Sequence, residues 1–479
     1  MDIFGVSVVV PAIACDMSLN VAQQGILTAV PLIGVILSSY GWGLAADTIG
    51  RRKILIIAMP IGFVIAIAAS MAPNYTTLTV LKFFSVMFTS AANAAAFVLM
   101  GESVPTKNRN RFMFIMASAT MFVLFLICSC SLPLLKTGFH LNISWLNVEY
   151  RPWRLILQII SLPGPAGIIL LLFLKESPKF LLSKKRDDEA VEVLRIMFQS
   201  NTRNNKEVYS VTHVYLDEPP VANSPETSVL MKMWNQTAPL FKPPLLRNSV
   251  ILYYLLLCAY MTSTGITMWV PTMTNAFFTN EDSAGKSFCD VASRSAHHNT
   301  TATTDCDNVI KPLMLYAVMC YSGVATCLTI LLSFVVGPLG KKKLTLMVFT
   351  VSTLCGILLL FVRIPLLSTA LLYMFLYVAQ ILGNINAYLV DLNPTHLRGM
   401  ASCLSVVVAR GFGFFSVQLI GSLLEHYCTP MISGYVVLVI SGLVVATFLP
   451  PDVKQKTGND QENSTSEIVD TTNNGKAGH

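Results

Sequence analysis

The chain has 479 residues, of which 53% are hydrophobic and only 12% charged, with a mean hydropathy of +0.60 and a formal net charge of +7. Soluble domains carry about 25% charged residues, so this composition excludes a disordered main body. It also excludes a nucleic-acid-binding domain, whose cations would need one solvated basic face. Eleven cysteines with no C-x-x-C pair exclude a disulfide scaffold and a thiolate metal centre.

A helix needs about 20 apolar residues to cross about 30 Å of hydrocarbon. In chain order the apolar runs are 3–14, 26–45, 54–72, 78–100, 112–135, 153–174, 250–273, 312–336, 344–362, 366–390, 400–424 and 431–449. Eleven of them reach the length of a span. The first has twelve residues and rises only about 18 Å. It reads as a first span shortened at its N-terminus rather than a signal peptide, because it lacks a basic leader and Pro11 interrupts it. The expected fold is therefore all-α and membrane-embedded, with twelve helices.

Assigning the loops alternately to the two sides puts 24 of the 33 Lys and Arg residues on one side, against seven on the other. By the positive-inside rule the first side is cytoplasmic and holds both termini. The sequons at Asn142 and Asn299 then lie outside and mark a glycoprotein; that at Asn74 sits in a loop too tight for modification. Cys289 and Cys306 share an outer loop in an oxidising compartment, where they form a disulfide or remain two thiols.

Between the sixth and seventh spans, Asp187, Asp188 and Glu189 open an amphipathic helix whose apolar stripe is Ala190, Leu194, Met197 and Phe198. Residues 201–235, with Pro219, Pro220 and Pro225, read as a linker, and residues 454–479 as a disordered tail. The expected organisation is a six-helix half over 1–174, a cytoplasmic linker over 175–247, a second six-helix half over 248–449 and a tail over 450–479.

The two halves share punctuation. Gly50-Arg51-Arg52-Lys53 follows the second span and Gly340-Lys341-Lys342-Lys343 the eighth, 290 positions later. Glu102-x-x-Pro105-Thr106-x-x-Arg109 follows the fourth span, and Asp391-x-x-Pro394-Thr395-x-x-Arg398 follows the tenth, offset by 289. Two signatures at nearly one offset indicate an internal duplication.

At these residues the chain resembles a known family. Gly43-x-x-x-Asp47-x-x-Gly50-Arg51-Arg52 is similar to the loop signature of the major facilitator superfamily. Glu176-Ser177-Pro178-Lys179-Phe180-Leu181 is similar to that of its sugar and organic-ion branches. Gly265-Ile266-Thr267-Met268-Trp269-Val270-Pro271 resembles the synaptic vesicle glycoprotein 2 group and its insect relatives. The resemblance implies two six-helix halves and alternating access, without cofactor or metal. There are departures from the pattern. Gly337 stands in the register of Asp47 in the second half, Lys82 replaces the usual arginine, and Val86 and Phe88 replace glycines.

A charge at the bilayer centre costs at least about 2.5 kcal/mol and marks a candidate site. The resemblance places Asp2 at the acidic position that the vesicle and organic-cation relatives carry in their first span, which implies a cation or proton site. Arg410, midway along the eleventh span, holds an anionic substrate group or fixes helix packing; both readings stand. Lys82 is read as snorkelling to a helix end. Tyr260, Tyr377, Gln380 and Asn384 suit a cavity for partly apolar solutes, Gln380 and Asn384 sharing one helical face. The resemblance also implies a cytoplasmic gate. In it Asp47 stands near Arg51 and Arg52, Glu102 near Arg109 and Arg111, and Glu176 on the same surface, with Asp391 and Arg398 in the second half.

The leading function is a secondary transporter of a small organic solute, an organic ion or sugar. Its partners are the bilayer, the solute and a coupling proton or cation, and its place is the plasma membrane or a vesicle membrane. The alternative is a transporter-like vesicle or trafficking protein that no longer transports. An enzyme is disfavoured, since every histidine falls in a loop or at a span end and no phosphate-binding loop occurs.

Overall fold

The structure is a computed structural model. It describes residues 2–104, 106–135, 137, 139–144, 148–202, 209–215, 237–279, 289, 310–393, 395–424 and 427–450. The side chains of 47, 93, 94, 97, 106–111, 113, 114, 276–279, 337, 338, 365, 386, 387, 390, 391, 395–400, 402 and 403 lie outside the description.

Among the described residues, ten helical segments are long and apolar enough to cross a membrane. The N-terminal half comprises α1 (Asp2–Asp16), α2 (Val21–Ile49), α3 (Arg51–Ser70), α4 (Tyr75–Thr89), α5 (Ala91–Ser103) and α6 (Thr106–Leu135). A hairpin, β1 (Leu141–Ile143) with β2 (Val148–Tyr150), leads to α7 (Pro152–Ile159) and α8 (Pro163–Phe173), then α9 (Pro178–Ser183) and α10 (Asp187–Asn201). The second half comprises α11 (Leu246–Thr279), α12 (Pro312–Leu339), α13 (Lys341–Phe361), α14 (Pro365–Phe375), a 3-10 turn (Leu376–Ile381), α15 (Leu382–Leu392), α16 (Thr395–Leu423) and α17 (Cys428–Thr447).

Local chemistry explains the starts. Asn20 and Gln23 form a capping box for α2 and the Asn74 side chain caps α4. Prolines open α7, α8, α9, α12 and α14, where the missing N–H has no helical partner to lose. The expected amphipathic helix forms as α10, with Ala190 and Val193 buried against Phe180 and Leu181 of α9.

Three expected spans are not continuous helices. The fourth breaks at Ser90 between α4 and α5, the sixth between α7 and α8 ahead of Pro163, and the tenth through its 3-10 turn. In hydrocarbon a carbonyl freed by such a break must find a protein donor. At the fourth span the Trp42 indole N–H donates to the Met87 carbonyl at 2.7 Å, and Ser38 and Ser90 hydroxyls bond at 2.7 Å.

The duplication is visible in the backbone. Gly50 and Gly340 join α2 to α3 and α12 to α13 with φ of +115° and +85° and nearly equal ψ. At Gly50 a Cβ would also stand 2.6 Å from Glu176 Oε2. These loops mark one end of the bundle, here the basic end; the hairpin marks the other.

The halves meet along α2 with α16 and α6 with α12, toward the hairpin end. Gly25 and Gly421 approach closely enough for Trp269 to lie against both, and Gln418 Nε2 donates to the Gly25 carbonyl at 3.3 Å. The Phe125 N–H donates to the Ser322 hydroxyl at 3.1 Å. One apolar core, from the valines of α1 to Val439 of α17, runs through both halves.

One correction to the sequence reading belongs to the hairpin end. Cys289 is bonded to Cys428 at the start of α17, not to Cys306, which lies outside the described residues. Cys15 is also disulfide-bonded. Leu141–Ile143 and Val148–Tyr150 pair antiparallel, with Asn142 exposed on β1. Asn299 lies outside the described residues.

Candidate functional site

Between the two ends of the N-terminal half, the charges of α1 and α4 meet. Lys82 on α4 has no solvent exposure, and its Nζ donates to Asp2 Oδ1 at 2.6 Å. Ser85, one turn on from Lys82, donates its hydroxyl to Asp2 Oδ2. The snorkelling reading of Lys82 is thus corrected. An ammonium that finds a carboxylate beside it inside the bundle has no need to reach the interface, whereas breaking the pair would strand a charge in low dielectric. Ser85 was missed, though its i, i+3 spacing from Lys82 puts it on the same face.

Arg410 lies on α16, half-buried, with its guanidinium 5.8 Å from the Tyr260 ring centroid on α11. It has no ion pair or hydrogen bond among the described residues. Its direction follows from the helix. One flank of α16 packs on α11, where Gly413 meets Thr264 and Ser416 donates to the Met261 carbonyl. The neighbouring flank packs on α2 through Gln418 and Gly421. At about 100° per residue Arg410 falls between these flanks and faces the space between the halves. Phe412 and Phe415, 37% and 57% exposed, point away from it.

The tenth span carries further buried polar groups. Gln380 is buried in the 3-10 turn; its Oε1 accepts from Thr329 at 2.6 Å and its Nε2 donates to the Ala325 carbonyl at 3.3 Å, both on α12. Asn384 is also buried, and its Nδ2 has no hydrogen-bond partner among the described residues. Gln380 lies in the 3-10 turn and Asn384 in α15, so the two do not belong to one regular α-helix. Tyr377 stacks on Tyr321, their centroids 5.8 Å apart, and Tyr321 packs on Tyr373, which bonds Thr274 at 3.1 Å. Tyr321 and Tyr373 were not singled out by sequence, because a tyrosine inside an apolar run carries no sign of which neighbour it meets.

At the basic end, Arg51 pairs with Glu102 at 3.0 Å and lies over the Phe180 ring at 4.9 Å. Ser177 donates to Glu102. Glu176 accepts the Arg52 backbone N–H on both oxygens, at 3.1 and 3.2 Å. The Arg52 guanidinium donates to the carbonyls of Leu171 and Leu172. The cluster lies within the first half and ties α3, α5, α8 and α9 together. Glu102, expected near Arg109 and Arg111, is held by Arg51. The side chains of Asp47, Arg109, Arg111, Asp391 and Arg398 lie outside the description.

At the hairpin end, Asp16 holds Arg151 at 2.9 Å and accepts from the Trp153 indole at 3.2 Å, while Arg154 donates to the carbonyls of Ser70 and Ala72. Hydrogen bonds from Arg151 hold the exposed Glu149 carboxyl below the usual carboxylate range. No group of His, Cys, Asp and Glu able to hold a metal occurs among the described residues.

Comparison with known proteins gives a consistent result. A family model described as Major Facilitator Superfamily matches residues 1–418. Synaptic vesicle glycoprotein 2B of Mus musculus is 23% identical over 305 residues, which is 58% of this chain and 43% of that protein. Organic cation/carnitine transporter 7 of Arabidopsis thaliana is 26% identical over 201 residues, 42% of this chain and 37% of the relative. The chain thus spans less than half the length of either relative. A partially occluded inward-open structure of the xylose transporter XylE from E. coli superimposes with a TM-score of 0.63 at 14% identity, over 95% of this chain and 96% of that one.

Proposed function

The chain belongs to the major facilitator superfamily, and from that premise we propose that it is a secondary transporter moving a small organic solute with a negatively charged group by alternating access. The observation that carries the solute class is Arg410. In the middle of the spans Asp2 and Lys82 neutralise one another, so among the described residues Arg410 is left as a cation without a counter-charge, beside the Tyr260 ring and turned toward the space between the halves. A cation kept at that depth favours a counter-charge, and a guanidinium matches a carboxylate with two parallel hydrogen bonds. Asn384 offers an unpartnered amide N–H from the second half, Tyr377 and Tyr260 offer apolar faces, and Gln380 braces the 3-10 turn against α12. A relative named for organic cations and carnitine, and neighbours named as xylose transporters, fit a transporter of small organic solutes.

Asp2 and Lys82 suit a coupling site. A proton on Asp2 dissolves the ion pair and frees Lys82, giving the first half two electrostatic states. Neighbours named as proton symporters are in keeping with a proton as coupling ion. The basic end faces the cytosol by its cation excess, placing the Arg51, Glu102, Glu176 cluster as the cytoplasmic brace of the first half.

Uptake of a panel of organic anions, zwitterions, cations and sugars by the full chain in proteoliposomes tests this. At least one carboxylate solute should be accumulated, falling to background in Arg410→Ala and partly restored in Arg410→Lys. Uptake confined to cations or neutral sugars overturns the solute class, and no uptake of any solute favours a non-transporting vesicle protein.

A further inference from the structure

A groove of about 310 Å3 opens on the flank of the bundle at the basic end, between the first turns of α11 and the last turns of α17. Val250, Ile251 and Tyr254 form one wall, Val445 and Phe448 the other, and Arg247 stands at the mouth. A 2.7 Å hydrogen bond between Tyr254 and Ser441 joins the walls deeper in the bilayer. Val250 and Phe448 are 52% and 58% exposed. Phe448 also continues a line of outward-facing side chains, Val437 and Val444, along α17. Arg247 is exposed and has no ion pair or hydrogen bond among the described residues. Among the described residues the charged neighbours are basic. Lys342 Nζ donates to the Leu449 carbonyl at 2.6 Å, one residue from Phe448, and α11, α13 and α17 contain no acidic residue.

We propose that this groove binds an anionic phospholipid of the cytoplasmic leaflet, with its headgroup on Arg247 and one acyl chain along Val250, Ile251, Tyr254, Val445 and Phe448. Charge complementarity selects the occupant. An apolar trough open to lipid accepts any acyl chain, but an unneutralised guanidinium at its mouth, with a lysine across the groove, favours a phosphate and carboxylate over a zwitterionic headgroup. The anionic lipids lie in the cytoplasmic leaflet, the side on which the cation excess places this end. The inference does not depend on which solute is transported.

Native mass spectrometry of the full chain, incubated in detergent with equimolar phosphatidylserine and phosphatidylcholine, reads the preference directly. Phosphatidylserine adducts should exceed phosphatidylcholine adducts about fivefold. Arg247→Gln should equalise the two, Arg247→Lys should keep most of the preference, and Val250→Trp should reduce both by filling the groove. Equal retention of the two lipids by the unaltered chain, or an unchanged preference in Arg247→Gln, overturns the proposal. A variant that does not fold is replaced by a salt series on the unaltered chain. There the preference should fall with rising ionic strength as the headgroup attraction is screened, and a salt-independent ratio counts against it.

Discussion

Lys82 and Arg410 are each the single charge in an apolar run, yet their surroundings oppose one another. Lys82 meets a carboxylate and is sealed from solvent; Arg410 meets an aromatic ring and stays half-exposed. Removing one partner of a buried pair leaves the other charged in low dielectric at a cost of about 3–5 kcal/mol. Lys82→Met should therefore lower the thermal unfolding midpoint sharply. The double variant Asp2→Asn with Lys82→Met should recover most of the midpoint while failing to accumulate solute down a proton gradient. Recovery of gradient-driven accumulation would show the pair to be structural only. The positions of these charges were legible in the sequence, since nothing else charged interrupts the runs. Their pairing was not, because Asp2 and Lys82 are 80 residues apart and meet only through the packing of α1 on α4.

At the scale of elements, the α2–α3 connection shows why a glycine signature occupies that loop. Gly50 adopts a positive φ that side chains resist, and Glu176 lies where a Cβ would go. Gly50→Ala should cost about 1–3 kcal/mol, read as a lower unfolding midpoint. Gly50→Ala with Glu176→Ala relieves the clash but keeps the backbone strain, so it should recover part of the loss attributable to Gly50→Ala when compared with Glu176→Ala alone. Full additivity of the two losses would refute the contact. Helix existence was readable from apolar runs, and α10 from its acidic start and stripe. The breaks in the fourth and tenth spans were not readable, because neither follows a proline. The groups that tolerate them come from distant residues, Trp42 on α2 and Thr329 on α12.

For the whole molecule, the Cys289–Cys428 bond ties the segment after α11 to the start of α17, a separation of 139 residues. A disulfide that closes a long loop typically contributes about 2–4 kcal/mol. Cys428→Ser should lower the unfolding midpoint, and reductant, which also opens the Cys15 disulfide, should lower that of the unaltered chain by more than it lowers that of the variant. A midpoint indifferent to both would remove any stabilising role. The close seam of α2 with α16 and α6 with α12 sits toward the same end, so the covalent tie and the inter-half contacts reinforce one region of the bundle.

Composition and hydropathy alone determined that the chain lives in a bilayer, because a run of about 20 apolar residues has no other solvent. Spacing alone determined the duplication, because a nearly equal offset between two signatures survives any packing. The tertiary structure decided which polar groups meet. It paired Lys82 with Asp2, left Arg410 facing the space between the halves, spent Gln380 on α12, and gave Cys289 to Cys428 rather than to Cys306. Each of these outcomes rests on contacts between helices far apart in the chain, where geometry and the cost of an unpaired buried group, not local propensity, select the partner.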